Sequence, residues 1–77
     1  MKIYITETCK RTNKIEETWH EVTSLFELFK QFVHKDLHDS YLEEDIQTEY
    51  QLEEILEGLF SGYLYEVHII PNKKENV

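Results

Sequence analysis

The sequence TEYQLEEILEGLFSGYLYEVHII, residues 48–70, changes its hydrophobic period from that of a helix to that of a strand. In its first half the apolar residues recur at intervals of three and four, and they are Leu52, Ile55, Leu56, Leu59 and Phe60. This spacing predicts a helix with one buried face. We expect the helix to begin at Thr48, with Gln51 in the capping-box position, and to end at a left-handed Gly62.

The second half of the stretch, residues 63–70, alternates as a strand does. We expect its inward-facing side chains to be Tyr65, Val67 and Ile69, and its outward-facing ones to be Glu66 and His68. Pro71 is expected to end the strand, and residues 73–77 to form a flexible tail.

Two further strands are predicted near the start of the chain, over residues 2–8 and 15–22, because both segments are rich in β-branched and aromatic side chains. The polar residues 11–14 between them predict a hairpin turn, with Asn13 taking the left-handed conformation. A two-residue turn at Thr12 and Asn13 would place Cys9 opposite Glu16.

A first helix is predicted to follow, capped by Thr23 or Ser24 and ending between residues 35 and 38. Its apolar stripe consists of Leu25, Leu28, Phe29, Phe32 and Val33. Residues 39–47 are ambiguous, and form either a short helical turn or a loop anchored by Leu42 and Ile46.

These elements give the order ββααβ in a chain of 77 residues, which is the length of one small domain. We therefore predict a single α+β domain over residues 1–72, a three-stranded sheet with two helices packed on one face. The last strand would run antiparallel beside the second strand or parallel beside the first, and we favour the first strand as the centre. Trp19 and Tyr65 are expected in the core.

The charge of this chain is segregated. Its net charge is −8, yet residues 36–72 hold ten carboxylates and no Lys or Arg. Glu49, Glu53 and Glu57 are four residues apart, and like charges at this spacing destabilise a helix by about 0.2–0.5 kcal/mol per pair. The missing bases suggest a positively charged protein partner, although acidic surfaces also serve solubility alone.

The predicted partner-binding residues are Glu43, Glu44, Asp45, Glu49, Tyr50, Glu53, Glu54 and Glu57. The expected partner is a basic protein, a nucleic-acid-binding enzyme or complex whose site the carboxylates would occupy in place of phosphates. The same acidity argues against direct binding to nucleic acid or to anionic membranes.

No catalytic motif is visible, so we expect neither enzyme activity nor a cofactor. His34 and His38 have the i, i+4 spacing of metal ligands but no evident third ligand, so no metal is expected. Cys9 and His20 would lie about four residues apart along the hairpin, too far for a nucleophile and its base.

An alternative function is a regulatory or structural module that homodimerises through the open face of the sheet. The apolar residues expected on that face are Tyr4, Val22, Leu64 and Ile70.

In size, acidity and lack of a catalytic signature, the whole chain resembles the small inhibitor proteins of phages and mobile elements, such as anti-CRISPR and antirestriction proteins. The resemblance implies an inhibitor that acts in the cytosol of a bacterial host. No signal peptide or membrane span is expected, which fits a cytoplasmic location.

Overall fold

The computed structural model describes residues 1–70 and confirms the α+β domain with ββααβ order. The strands are β1 (Lys2–Cys9), β2 (Ile15–Glu21) and β3 (Tyr63–Ile70), and the helices are α1 (Leu25–Phe32) and α2 (Glu49–Leu59). Two short 3-10 helices, Lys35–Ser40 and Glu43–Asp45, connect α1 to α2. The predicted strand end at Pro71 and the predicted tail 73–77 lie outside the described residues.

The sheet has the order β2-β1-β3 and is antiparallel throughout. The central position of β1 is as predicted. β3 was predicted to lie either antiparallel beside β2 or parallel beside β1, and it lies instead antiparallel beside β1. The helical connection brings the chain back to the end of the sheet where β2 began, on the far side of β1. β3 therefore runs parallel to β2 and antiparallel to the β1 strand between them.

The β1–β2 hairpin has a longer turn than predicted. Cys9 lies opposite Lys14, with the Cys9 N–H donating to the Lys14 carbonyl at 2.9 Å, so residues 10–13 form a four-residue loop. Asn13 has φ of 60°, as expected, and is the one non-glycine residue of the described chain with positive φ. A two-residue turn favours two successive left-handed residues, and only one is present here. The register therefore differs by two residues from the predicted one, an even shift that leaves unchanged which residues of β1 and β2 share a face.

Helix α1 begins as predicted but ends early. The Ser24 hydroxyl accepts from the Glu27 N–H at 3.1 Å, and the Glu27 carboxylate accepts from the Thr23 N–H at 2.6 Å. Instead of continuing to residues 35–38, the helix ends at Phe32 because Val33 turns extended and buries its side chain. His34 then caps the first 3-10 helix.

Helix α2 has the predicted capping box. The Thr48 hydroxyl accepts from the Gln51 N–H at 3.2 Å, and the Gln51 side chain accepts from the Thr48 N–H at 3.0 Å. The prediction of a left-handed Gly62 is wrong, since no glycine in residues 1–70 has positive φ and the chain leaves the helix through Phe60. Before α2, Ile46 is buried but Leu42 is exposed, so only one of the two expected anchors enters the core.

The core lies between the helices and one face of the sheet. Its buried side chains are Ile3, Ile5, Val22, Leu25, Leu28, Phe29, Val33, Ile46, Leu52, Leu56, Tyr65 and Val67. Ring contacts link Phe29 to Tyr41 at 5.2 Å and Phe32 to Tyr65 at 6.4 Å. Both helices therefore cover the same face, as predicted, and the other face of the sheet is open.

Candidate partner-binding surface

The predicted contact residues lie on α2 and on the 3-10 helix that precedes it. Glu43, Glu44, Asp45, Tyr50 and Glu54 are exposed, and Glu49, Glu53 and Glu57 are half-buried. Helix α2 packs mainly against β3, an edge strand of the sheet. The acidic surface, defined as these eight residues, therefore lies along the β3 side of the domain.

Two of these carboxylates bind the backbone of β3. The Glu57 side chain accepts a hydrogen bond from the Tyr65 N–H at 3.0 Å, and the Glu53 side chain accepts from the Val67 N–H at 2.8 Å. Both N–H groups point away from β1, towards the side on which β3 has no neighbouring strand. Helix α2 thus supplies acceptors to an edge that has no pairing strand.

The spacing of the two elements makes this arrangement possible. Four helical residues rise about 6 Å, and two strand residues advance about 6.6–6.8 Å. Carboxylates four apart on α2 therefore stay in step with every second N–H of β3. Charged groups strengthen such bonds to about 1.5–3 kcal/mol, which exceeds the like-charge cost of about 0.2–0.5 kcal/mol within the helix.

This structural role was missed in the sequence, where Glu53 and Glu57 were interpreted only as partner contacts. The sequence does contain a sign of this role, since carboxylates spaced at i, i+4 on one side of a predicted helix precede an alternating strand. Sequence alone does not say that the strand lies at an edge or that the helix lies beside it.

A shallow groove continues the row towards the start of α2. It is lined by Glu49, Tyr50, Glu53, Glu66, Val67, His68 and Ile69. The Tyr50 side chain is 78% exposed, as its helical phase predicts, and it stands beside three carboxylates. Carboxylate oxygens and an aromatic ring are the groups that bind guanidinium or ammonium side chains.

Within residues 1–70, no Lys or Arg pairs with the carboxylates of the acidic surface. This part of the chain contains three ion pairs: the Met1 amino group with Glu21, His34 with Asp36, and His68 with Glu66. None of the three involves the acidic surface. Apart from Glu53 and Glu57, which bind β3, its carboxylates are therefore open to a basic partner.

The histidines that were considered as metal ligands have local roles. The His34 ring nitrogen Nδ1 accepts from the Asp36 N–H at 3.2 Å, and His38 Nε2 lies 2.7 Å from the Val33 carbonyl oxygen. Within residues 1–70, no three His, Cys, Asp or Glu side chains are grouped as a metal site would need.

Cys9 and His20 lie even farther apart than expected. His20 is opposite Ile3, at the other end of the hairpin from Cys9. The Thr12 hydroxyl and nearby backbone N–H groups lower the pKa of the Cys9 thiol by hydrogen bonding. His20 instead bonds Thr18 at 2.9 Å and packs on Phe32, so the two residues do not form a pair.

The open face of the sheet carries a row of rings. The Trp19 ring contacts the Tyr4 ring at a tilt of 50°, with centroids 4.8 Å apart, and the Tyr4 ring lies 6.0 Å from that of His68. Trp19 is 60% exposed, so its predicted place in the core is wrong. Its neighbours Thr18 and His20 point to the helical side of the sheet. Val22, which was expected on the open face, continues the alternation of Thr18 and His20 and is buried in the core.

No protein-family model, curated protein or solved structure matches this chain at a significant level. Within the described residues, neither helix combines the length and apolar character that crossing a bilayer requires.

Proposed function

We propose that this protein is a small, non-enzymatic inhibitor that binds a positively charged surface of another protein through its acidic surface. The partner is a nucleic-acid-binding enzyme or complex, and binding blocks its nucleic-acid site. Such an inhibitor belongs with the anti-CRISPR and antirestriction proteins of phages and mobile elements, and it would act in the cytosol of a bacterial host.

The observation that carries the proposal is the absence of Lys and Arg partners for the acidic surface within residues 1–70. Carboxylates that served only the fold would be engaged inside it, as Glu53 and Glu57 are. Glu43, Glu44 and Glu54 are exposed and hold no intramolecular hydrogen bond through their carboxylates in the same part of the chain. A basic partner would supply the missing counter-charges.

The spacing of the carboxylates supports mimicry of nucleic acid. Glu49 and Glu54, which make no hydrogen bond to β3 within residues 1–70, are separated by a rise of about 7.5 Å along α2, which is comparable to the distance between successive phosphates of a nucleic-acid strand. Tyr50 adds an exposed ring, which is the kind of side chain that anchors protein interfaces. Because Glu49, Tyr50 and Glu54 belong to the same helix, their positions relative to one another are set before binding.

The test compares two variants with the same change in net charge. In the first, Glu44 and Glu54 are replaced by Gln; in the second, the exposed residues Asp36 and Asp39 are replaced by Asn. Glu53 and Glu57 are left intact in both because they hold β3. The wild type is immobilised, proteins of a bacterial lysate are captured at low salt, and each captured protein is titrated with the three proteins.

We expect the partner to be released by salt and displaced by a DNA or RNA oligonucleotide, since exposed charge pairs are screened. The first variant should lose at least tenfold in affinity, and the second should bind as the wild type does. Equal binding by both variants, or capture that is indifferent to nucleic acid, would refute the proposal.

A second candidate function is self-association through the open sheet face, as a regulatory or structural module. It is favoured by the exposed Trp19, which contacts Tyr4, and by the exposed Leu64 farther along the same face. A salt-insensitive dimer that is lost on replacement of Leu64 by Glu would support this second function, and a monomer at high concentration would exclude it.

A further inference from the structure

The two outer edges of the sheet are treated differently by the rest of the chain. The β3 edge receives the carboxylates of Glu53 and Glu57. On the other edge, the β2 N–H and C=O groups that point outward belong to Ile15, Glu17, Trp19 and Glu21. This follows from the hairpin register, in which Cys9 bonds Lys14 and Val22 bonds Met1, so that the even-numbered residues of β2 face β1.

None of these outward groups of β2 takes part in a hydrogen bond within residues 1–70. Six of the seven residues of Ile15–Glu21 are exposed, and only His20, which packs on Phe32, is half-buried. The buried residues of the sheet lie on β1 and β3, and α2 packs against β3. Strand β2 therefore projects from the domain with room beside it for another strand.

Exposed edges are normally shortened, bulged, charged, blocked by proline or covered. Strand β2 carries three glutamates, but it has seven residues, no lysine, no proline and no bulge in its pairing with β1. Within residues 1–70, the chain protects one edge with a helix and leaves the other one regular and without a pairing strand, which is the form that strand addition requires.

We propose that β2 pairs antiparallel with β2 of a second copy of this chain, about a two-fold axis at Thr18, to form a continuous six-stranded sheet. In this register Ile15 bonds Glu21 of the second copy and Glu17 bonds Trp19 of the second copy. All the outward N–H and C=O groups of β2 then form hydrogen bonds between the strands, in both copies alike because the pairing is symmetric.

Charge complementarity selects this register. Glu16 faces His20 of the second copy, Glu17 faces Trp19, and Thr18 faces Thr18, so no like charges are opposed. Threonine pairs at facing positions stabilise a sheet, and a glutamate opposite an imidazole avoids the repulsion between like charges.

Shifting the register by two residues in either direction removes this complementarity. One shift places Glu17 against Glu17, and the other places Glu17 against Glu21. Like charges at facing positions are destabilising, so the register centred at Thr18 is preferred.

The pairing is independent of the proposed inhibitor function, because α2 and the acidic surface lie at the β3 side of the sheet and β2 lies at the opposite edge. A dimer of this kind would present two acidic surfaces, one at each end. A partner with two basic sites would bind it more tightly than a monomer.

The register is tested by cysteine crosslinking in a chain with Cys9 replaced by Ser. At a facing pair that shares no hydrogen bond, the two Cα atoms are about 4.5 Å apart, which is within the range of a disulfide. Thr18→Cys should therefore form a disulfide dimer under mild oxidation. The matched control Glu16→Cys faces His20 in the second copy and should not, so equal crosslinking of the two variants would overturn the proposed register.

The edge itself is tested by sedimentation of Glu17→Pro against Glu17→Ala. The Glu17 N–H points outward, so proline should leave the hairpin intact and abolish dimerisation, while alanine should not. Hydrogen exchange of the wild type supplies a second measurement, because the amides of Ile15, Glu17, Trp19 and Glu21 should gain protection as concentration rises. A dimer that survives Glu17→Pro, or protection that does not change with concentration, would overturn the proposal, whatever the outcome for the acidic surface.

Discussion

The carboxylate of Glu53 accepts a hydrogen bond from the backbone N–H of Val67 at 2.8 Å, across the junction between α2 and the outer edge of β3. One turn further along α2, Glu57 repeats the contact with Tyr65 at 3.0 Å. These bonds place acidic side chains where a neighbouring strand would supply carbonyl oxygens. They explain why two of the carboxylates on this helix have no Lys beside them.

Replacing Glu53 or Glu57 by Ala should destabilise the fold by about 1–3 kcal/mol each, because a partly buried N–H group loses its charged acceptor. Glu54 lies on the same helix but is exposed and makes no such bond, so Glu54→Ala should stay within about 0.5 kcal/mol of the wild type. Urea denaturation of the three variants measures the difference. Indistinguishable midpoints would show that the edge contacts contribute nothing to stability.

Removing the cap of α2 should weaken the helix from its start. Thr48→Ala deletes the hydroxyl that accepts from the Gln51 N–H, at an expected cost of about 1 kcal/mol. The exposed Ser61, between α2 and β3, provides the control substitution to alanine. Thermal unfolding followed by circular dichroism should give a lower Tm for Thr48→Ala alone, and an unchanged Tm would argue against the capping box.

The hairpin turn depends on the left-handed conformation of Asn13, at φ of 60°. Asn13→Ala should destabilise the protein by about 1 kcal/mol, since a side chain with a Cβ is disfavoured there and loses the local bonding of asparagine. Asn13→Gly should be close to neutral, because glycine adopts this conformation freely. The measurement is the free energy of unfolding of Asn13→Ala and of Asn13→Gly. Equal losses in the two variants would contradict a left-handed conformation at residue 13.

Stability should fall at alkaline pH through Tyr65. Burial raises the pKa of the Tyr65 phenol, and the hydrogen bond that its hydroxyl donates to Glu7 at 2.5 Å raises it further. The ordinary tyrosine pKa of about 10 applies to the unfolded chain, so above that pH the unfolded state loses a proton that the folded state retains. The stabilisation is complete below about pH 10 and declines as the pH rises towards the folded pKa.

The variant Tyr65→Phe isolates this contribution. It should be less stable than the wild type near neutral pH, because Glu7 loses its donor, and its stability should decline less steeply above about pH 10. Urea midpoints measured across the alkaline range provide the comparison. Parallel pH profiles for the two proteins would show that another group controls the alkaline transition.

Much of the fold was predictable because the local signals agree with each other. Residues 63–70 alternate cleanly, and β3 has those bounds in the structure. Thr48 and Gln51 form the expected box, and Ser24 caps α1. Tyr50 lies exposed as its helical phase predicts, because periodicity alone decides which side of a packed helix meets solvent.

The predictions that were wrong concern relations between distant segments. Trp19 has the size of a core residue, yet it lies on the open face because neither helix extends over that side of the sheet. The register of the hairpin shifted by two residues with the length of its turn, and the direction of β3 followed from where the helical connection returned the chain.

By itself, the sequence determined the order of the three strands and two α-helices, the buried faces of α1, α2 and β3, and the concentration of negative charge in one half of the chain. Only the tertiary structure decided what that charge touches. A carboxylate on a helix becomes an acceptor for a strand edge only when the two elements lie side by side at matching spacing, and residues that are far apart in the chain acquire that relation through packing.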